Sequence, residues 1–217
     1  MNLFELHDAN LGYNGNAVLR SVTLTIAPGE RVALVGPSGA GKSTLLHTLY
    51  QQQKLRTALV PQDGALVKQL SVFHNVYIGQ LHRHGSLYNL MNLIRPFARE
   101  IARVRAILER VGLDDKIATA VGELSGGQQQ RTAVARALFH GGEVLLGDEP
   151  VSAVDALQAR DVLAAVCSAY PTVVMVMHDV RLALEFATRI IGLKDGRMLM
   201  DVPSAGLTPV ALEGLYR

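Results

Sequence analysis

The stretch RVALVGPSGAGKSTLLHTLY, residues 31–50, constrains this chain more than any other part of it. RVALVG, residues 31–36, is a short continuous apolar run, the pattern of a strand buried on both faces. The residues from Gly41 onward read as a helix. Between them, GPSGAGKST matches G-x-x-x-x-G-K-[ST], and a strand before it with a helix after it is the context that pattern requires. Gly36, Gly39 and Gly41 let the backbone approach an anion with no Cβ in the way, with Pro37, Ser38 and Ala40 completing the loop. The amides from about Gly39 through Thr44 then aim at phosphate oxygens, helped by the helix N-terminus. Lys42 supplies a charge between the β and γ phosphates, and the Ser43 hydroxyl suits Mg²⁺, a hard cation that prefers oxygen. Such a loop demands an α/β core.

The remaining chain reads as strands alternating with helices, which implies a mainly parallel sheet. FELHDANLGY and SVTLTIAPGE near the start are strands of an antiparallel part, the second closed by a Pro-Gly turn. TALVPQ (57–62), EVLLGDEP (143–150) and TVVMVMHD are further short strands, and the chain closes in a hairpin turned at Asp195-Gly196. Residues 70–125 differ in character. Phe97, Ile101, Val104, Leu108 and Val111 recur at alternating spacings of four and three, an amphipathic helix ended near Gly112. We read one domain over 1–217, with an α/β core at 1–69 and 126–217 and a helical subdomain inserted at about 70–125.

Composition excludes several classes. With 21 basic and 19 acidic residues the net charge is +2, which argues against nucleic-acid binding by bulk electrostatics. Six Arg against two Glu between residues 81 and 110 read as a solvated helix face, or else as a surface facing acidic partner loops or lipid head groups. Cys167 is the only cysteine, so no internal disulfide forms, and its apolar setting reads as core packing. No apolar run reaches the length of a spanning helix, the first residues do not read as a signal peptide, and the tail to Arg217 leaves no room for a regulatory domain. His82, Arg83 and His84 lack Cys or acids at ligand spacing and read as a solvated loop. His7, His47, His74 and His140 read as surface or cap residues.

Asp148 and Glu149 end a buried strand, at the sheet edge where α/β proteins bind ligands. Adjacent strand residues point in different directions. One acid can hold the magnesium shell while the other faces a water; we assign Asp148 to the metal and Glu149 to polarising the attacking water. A strand-end histidine is by itself more often structural, but His178 ends a neighbouring strand of the same sheet, which favours the site. Gln62 follows a third strand, where a neutral amide reaches the metal or the attacking water.

In this order the residues resemble the ATP-binding cassette (ABC) ATPases, over nearly the whole chain. GPSGAGKST resembles the Walker A loop, Gln62 the Q-loop glutamine, VLLGDEP the Walker B strand with its catalytic glutamate, and His178 the switch histidine. LSGGQ at 124–128 is similar to the family's signature motif and is far more specific than Walker A; Ser152-Ala153-Val154-Asp155 is similar to the D-loop. Tyr13 falls where the family places an aromatic that stacks on adenine. The resemblance implies a P-loop NTPase with a RecA-like core that binds ATP and Mg²⁺. It also implies two cassettes packed head to tail, each ATP lying between one Walker A and the other chain's Ser125, Gly126, Gly127 and Gln128, with Asp155 nearby. That accounts for a second phosphate-holding loop in a chain with room for one nucleotide core. NVYIGQLHRHGSLYNLMNLIRPFARE, IIGLKDGRMLMD and LTPVALEGLYR further resemble the ATPase subunits of phosphonate importers.

The resemblance thus implies an ATPase on the cytoplasmic face of the membrane, held there by permease subunits that a solute-binding protein serves. A soluble ABC ATPase powering an enzyme or assembly complex carries the same motifs, as would a nucleotide-dependent interaction module with little turnover. One departure stands out. Gln62 lies twenty positions after Lys42, where the family commonly carries a longer stretch with extra antiparallel strands, so QQQKLR is expected to join helix to strand directly.

Overall fold

The computed structural model describes residues 2–13 and 15–216; Met1, Asn14 and Arg217, which fall within stretches read above, lie outside the described residues. Strands β1 (Phe4–Tyr13) and β2 (Asn16–Ile26) pair antiparallel as a two-stranded sheet. Then come β3 (Arg31–Val35), helix α1 (Lys42–Gln52), β4 (Thr57–Val60), α2 (Val72–Tyr77), α3 (Ser86–Ile94), α4 (Ala98–Glu109) and α5 (Gly126–His140). The chain continues through β5 (Val144–Asp148), α6 (Ala156–Ala169), β6 (Thr172–Val176), α7 (Val180–Phe186), β7 (Arg189–Lys194), β8 (Arg197–Pro203) and α8 (Pro209–Leu212). Six strands form the second sheet in the order β4-β5-β6-β3-β7-β8. The pairs β5–β6, β6–β3 and β3–β7 are parallel, and β7–β8 is antiparallel. The mainly parallel sheet expected from the alternating pattern is therefore present. Its central strands β5 and β6 are buried at every residue, as parallel strands without a wet face must be.

Two compact units divide the chain: Met1–Leu59 with Gly142–Glu149 and Tyr170–Arg217, and Val60–Gly141 with Pro150–Ala169. In the first, inward residues of the antiparallel pair (Phe4, Leu24, Ile26) share one apolar core with Leu45, Leu46 and Leu49 of α1 and with Leu34, Leu146, Val176 and Ile191 of the large sheet. This core fixes α1 under the sheet and so sets the start of the helix at the sheet's carboxyl edge. The connection from α1 to β4 is a single 3-10 turn at Lys54–Arg56, with no extra strand, as the short stretch before Gln62 predicts. The hairpin at the end of the sheet turns at Asp195 (φ 50°) and Gly196 (φ 72°), the positive pair that a type I′ turn demands.

The second unit is helical. The expected helix over 97–111 is α4, with Val104 and Leu108 fully buried. It packs with α2 on α5, and α5 in turn packs on α6. The buried Asn75 is satisfied inside this unit: its Oδ1 accepts the Val67 N–H at 2.8 Å, and its amide donates to the carbonyls of Val67, Leu70 and Ser71. In the arginine-rich run only Arg103 turns inward, bonded to the buried Glu100 at 2.7 Å and lying over the Phe139 ring. Arg83, Arg95, Arg99, Arg105 and Arg110 are exposed, Arg83 donating to the His140 carbonyl and Arg110 to the Ala165 carbonyl. Cys167, Met175 and Met177 are buried, as packing residues. Among the described residues no helix is long and apolar enough to cross a membrane.

Candidate functional site

The phosphate loop leaves β3 through Gly36, whose φ of 141° and crowded surroundings exclude a side chain: a Cβ there would sit 2.0 Å from the Leu193 carbonyl oxygen. Its N–H donates to the Tyr216 hydroxyl at 3.3 Å. The loop then enters α1 at Gly41, and Lys42, Ser43 and Thr44 open the helix. Lys42 is buried and donates to the Gly36 and Pro37 carbonyls, both at 2.8 Å, so its ammonium closes the loop on itself. Burial lowers the Lys42 pKa, opposed by the charges of Glu149 and Asp148. An anion seated in the loop would add to that opposition.

Asp148 is the last residue of β5 and is buried. The Ser43 hydroxyl donates to its carboxylate, and its Oδ1 has no partner among the described residues. Burial raises the Asp148 pKa, while the Ser43 bond works against the rise. A buried carboxylate oxygen without a partner, beside a hydroxyl on the same carboxylate, is a donor set of the kind Mg²⁺ takes: hard oxygens, few in number, the rest left to phosphates and water. Among the described residues no group of three or more His, Cys, Asp or Glu gathers as a metal cage.

Glu149 follows in the left-handed region (φ 54°). Its N–H donates to the Val176 carbonyl, and its Oε1 lies 2.7 Å from His178 Nε2. Because Asp148 pairs with Val176 in the parallel register, the residues just beyond each strand meet at one edge. Lys42, Ser43, Asp148, Glu149 and His178 thus come together at the carboxyl end of the sheet. Tyr13, half exposed at the end of β1, places its ring 5.9 Å from that of His47, a surface residue of α1 as expected.

The second unit holds a separate loop. Ser125 caps α5 in a reciprocal pair: its Oγ accepts the Gln128 N–H and its own N–H donates to Gln128 Oε1. Gly126 and Gly127 form the first turn, whose amides have no intrahelical acceptors. A Cβ on Gly127 would lie 2.7 Å from the Ala153 carbonyl oxygen, so only glycine lets residues 152–155 approach α5 this closely. Gln130 ties the two segments, donating to Ser152 Oγ at 3.0 Å and accepting the Ala153 N–H at 2.7 Å. Asp155 Oδ1 accepts the Gln158 N–H of α6 at 3.0 Å. Gln62 is exposed in the turn after β4.

The family model described as ABC transporter matches residues 19–152. The phosphonates import ATP-binding protein PhnC of Pseudomonas entomophila (strain L48) is 38% identical over 97% of this chain and 90% of the relative. That of Pseudomonas putida is 37% identical over 97% of this chain and 88% of its own length. The first alignment runs over 240 positions against 217 residues here, so the relative carries residues within the aligned span that this chain lacks. Among solved structures, a dimeric ATP-binding cassette in a post-hydrolysis state, bound to ADP and Pi, superposes with a TM-score of 0.77 at 27% identity, covering 94% of this chain and 99% of that one. The dimeric structure of a bacterial ABC transporter cassette gives a TM-score of 0.79 at 25% identity over the same shares.

Proposed function

This chain belongs to the ABC transporter ATP-binding family, and from that premise we propose that it is the ATP-hydrolysing subunit of an importer for phosphonates or a related oxyanion. The observation that carries the reading is the convergence of Lys42, Ser43, Asp148, Glu149 and His178 at one sheet edge. The phosphonate class rests on the relatives, several of which are phosphonate import proteins.

In this reading Lys42 exchanges the Gly36 and Pro37 carbonyls for the β and γ phosphates of ATP, and the amides of Gly39 through Thr44 hold the same oxygens. Ser43 and Asp148 would hold Mg²⁺, which when bound neutralises phosphate charge. Glu149 orients the attacking water and accepts its proton at a carboxylate oxygen, while His178 holds that carboxylate by its Nε2–H. Tyr13 receives the adenine.

The γ-phosphate is completed by a second copy: Ser125, the amides of Gly126 and Gly127, and Gln128 of one chain face the phosphate loop of the other, with Asp155 beside them. The dimeric cassettes among the structural neighbours support this arrangement. ATP then joins the two copies, and hydrolysis removes the charge that holds them. Helix α3 exposes Leu87, Leu90, Met91, Leu93 and Ile94, a large apolar surface for one short helix and suited to permease subunits at the inner face of the membrane. A solute-binding protein would act through that permease.

The test is Mg²⁺-dependent phosphate release by the purified chain, followed by co-purification from membranes. Turnover with membrane subunits bound supports the importer. Turnover in a complex free of membrane proteins would replace it with an ATPase serving soluble machinery, and absence of turnover would remove the reading altogether.

A further inference from the structure

The C-terminal segment ends against the phosphate loop. The 3-10 turn Glu213–Leu215 packs on β7, where Leu215 is buried over Gly192; a Cβ on Gly192 would lie 2.7 Å from Leu215 Cδ1. Lys194 Nζ donates to the Gly214 carbonyl at 3.4 Å. Between these two residues of β7, the Leu193 carbonyl crowds Gly36. The same short piece of strand therefore seats the tail and bounds the entry to the loop. From that seat Tyr216 reaches back 180 residues in sequence to accept the Gly36 N–H at 3.3 Å.

Gly36 is thus held at both of its polar groups, the N–H by Tyr216 and the carbonyl by Lys42. The two bonds differ in fate. Lys42 must leave the carbonyl to meet phosphate, whereas nothing in phosphate binding calls on the Tyr216 hydroxyl. We propose that Tyr216 is a positioning residue for nucleotide: its hydroxyl anchors Gly36 while Lys42 changes partners, so that the loop keeps its phosphate-binding shape throughout the cycle. Burial raises the Tyr216 pKa, so the hydroxyl remains neutral in the physiological range. The inference rests on the ATPase reading above and adds to it a residue outside the motifs.

The test compares wild type with Tyr216→Phe, which keeps the ring and the tail's packing and removes only the acceptor oxygen. ADP affinity by calorimetry and the KM for ATP should both weaken, by about threefold to tenfold, the worth of one ordinary hydrogen bond. The kcat at saturating ATP should stay within about twofold of wild type, since Glu149 and His178 are untouched. Exchange protection of the Gly36 amide should fall while that of the β7 amides is retained. Loss of β7 protection as well would mean that the tail is merely structural, and an unchanged KM or an unchanged Gly36 amide would overturn the anchoring role. Wild-type protein that neither binds ADP nor releases phosphate would instead refute the ATPase reading, so the two failures are distinct.

Discussion

His178 Nε2 and Glu149 Oε1 stand 2.7 Å apart, joining the turns that follow two neighbouring parallel strands. A carboxylate only accepts, so the bonded imidazole nitrogen carries the proton. The Glu149 backbone, at φ 54°, is held in the left-handed region by its own N–H bond to Val176. A non-glycine residue in that conformation costs about 1 kcal/mol or more, and such strain collects where a side chain must be aimed. On our reading the pair aims one carboxylate oxygen at water.

Glu149→Gln should therefore lower kcat by about 10²- to 10⁴-fold, the range for removal of a general base. It should leave ATP binding intact and yield a dimer by size exclusion in the presence of ATP. His178→Ala should lose less, because it removes the orienting bond and not the base. Equal turnover in wild type and Glu149→Gln would end the assignment.

Asp148 supplies a pH prediction. Burial raises its folded-state pKa above that of the unfolded chain. Its contribution to stability is then complete below the unfolded value, about 3.9, and is lost as pH rises through the raised folded value. Asp148→Asn removes this penalty and should raise the melting temperature of the nucleotide-free protein at neutral pH, by on the order of 2–4 °C per kcal/mol. The difference should vanish in acid below the unfolded pKa. The same variant should lose Mg²⁺-dependent hydrolysis. A melting curve insensitive to the substitution at every pH would contradict the burial argument.

Gly127→Ala should cost about 1–3 kcal/mol, because its Cβ meets a backbone oxygen, Ala153 O, at 2.7 Å and backbone yields poorly. Gly126→Ala, whose Cβ would lie 4.0 Å from the Ala153 side chain, should melt close to wild type. Thermal denaturation of the two variants side by side decides the point.

Ser125→Ala removes the α5 cap and should cost about 1 kcal/mol. Its larger consequence concerns the dimer. Neither Ser125→Ala nor Lys42→Ala should hydrolyse ATP alone. Mixed together they should regain activity, because one of the two shared sites then combines an intact Lys42 with an intact Ser125. A mixture as inactive as its components would exclude a site built from two chains.

Much of this was legible along the chain. The strand–loop–helix at residues 31–50 announces its own geometry, since glycines, a lysine and a hydroxyl at fixed spacing suffice for a phosphate cradle. Helix α5 is legible for a similar reason: Ser125 and Gln128 are a local capping pair. The Asp195-Gly196 turn and the one-turn link from α1 to β4 follow from short-range chemistry and from length. The role of Tyr13 came only from family likeness, because a single exposed side chain carries no spacing signal, whereas that of Gln62 also came from its place just after a strand.

What the sequence determined alone was the set of local devices: where a backbone turns, where a helix starts, which strands lose both faces to the core. What only the tertiary structure decided was which devices meet. The strand order β5-β6-β3 brings Glu149 to His178, and the seat of the tail on β7 brings Tyr216 to Gly36. Contacts across 29 and 180 residues leave no periodic trace in a sequence, since they depend on how apolar faces pack and on no rule of neighbouring residues.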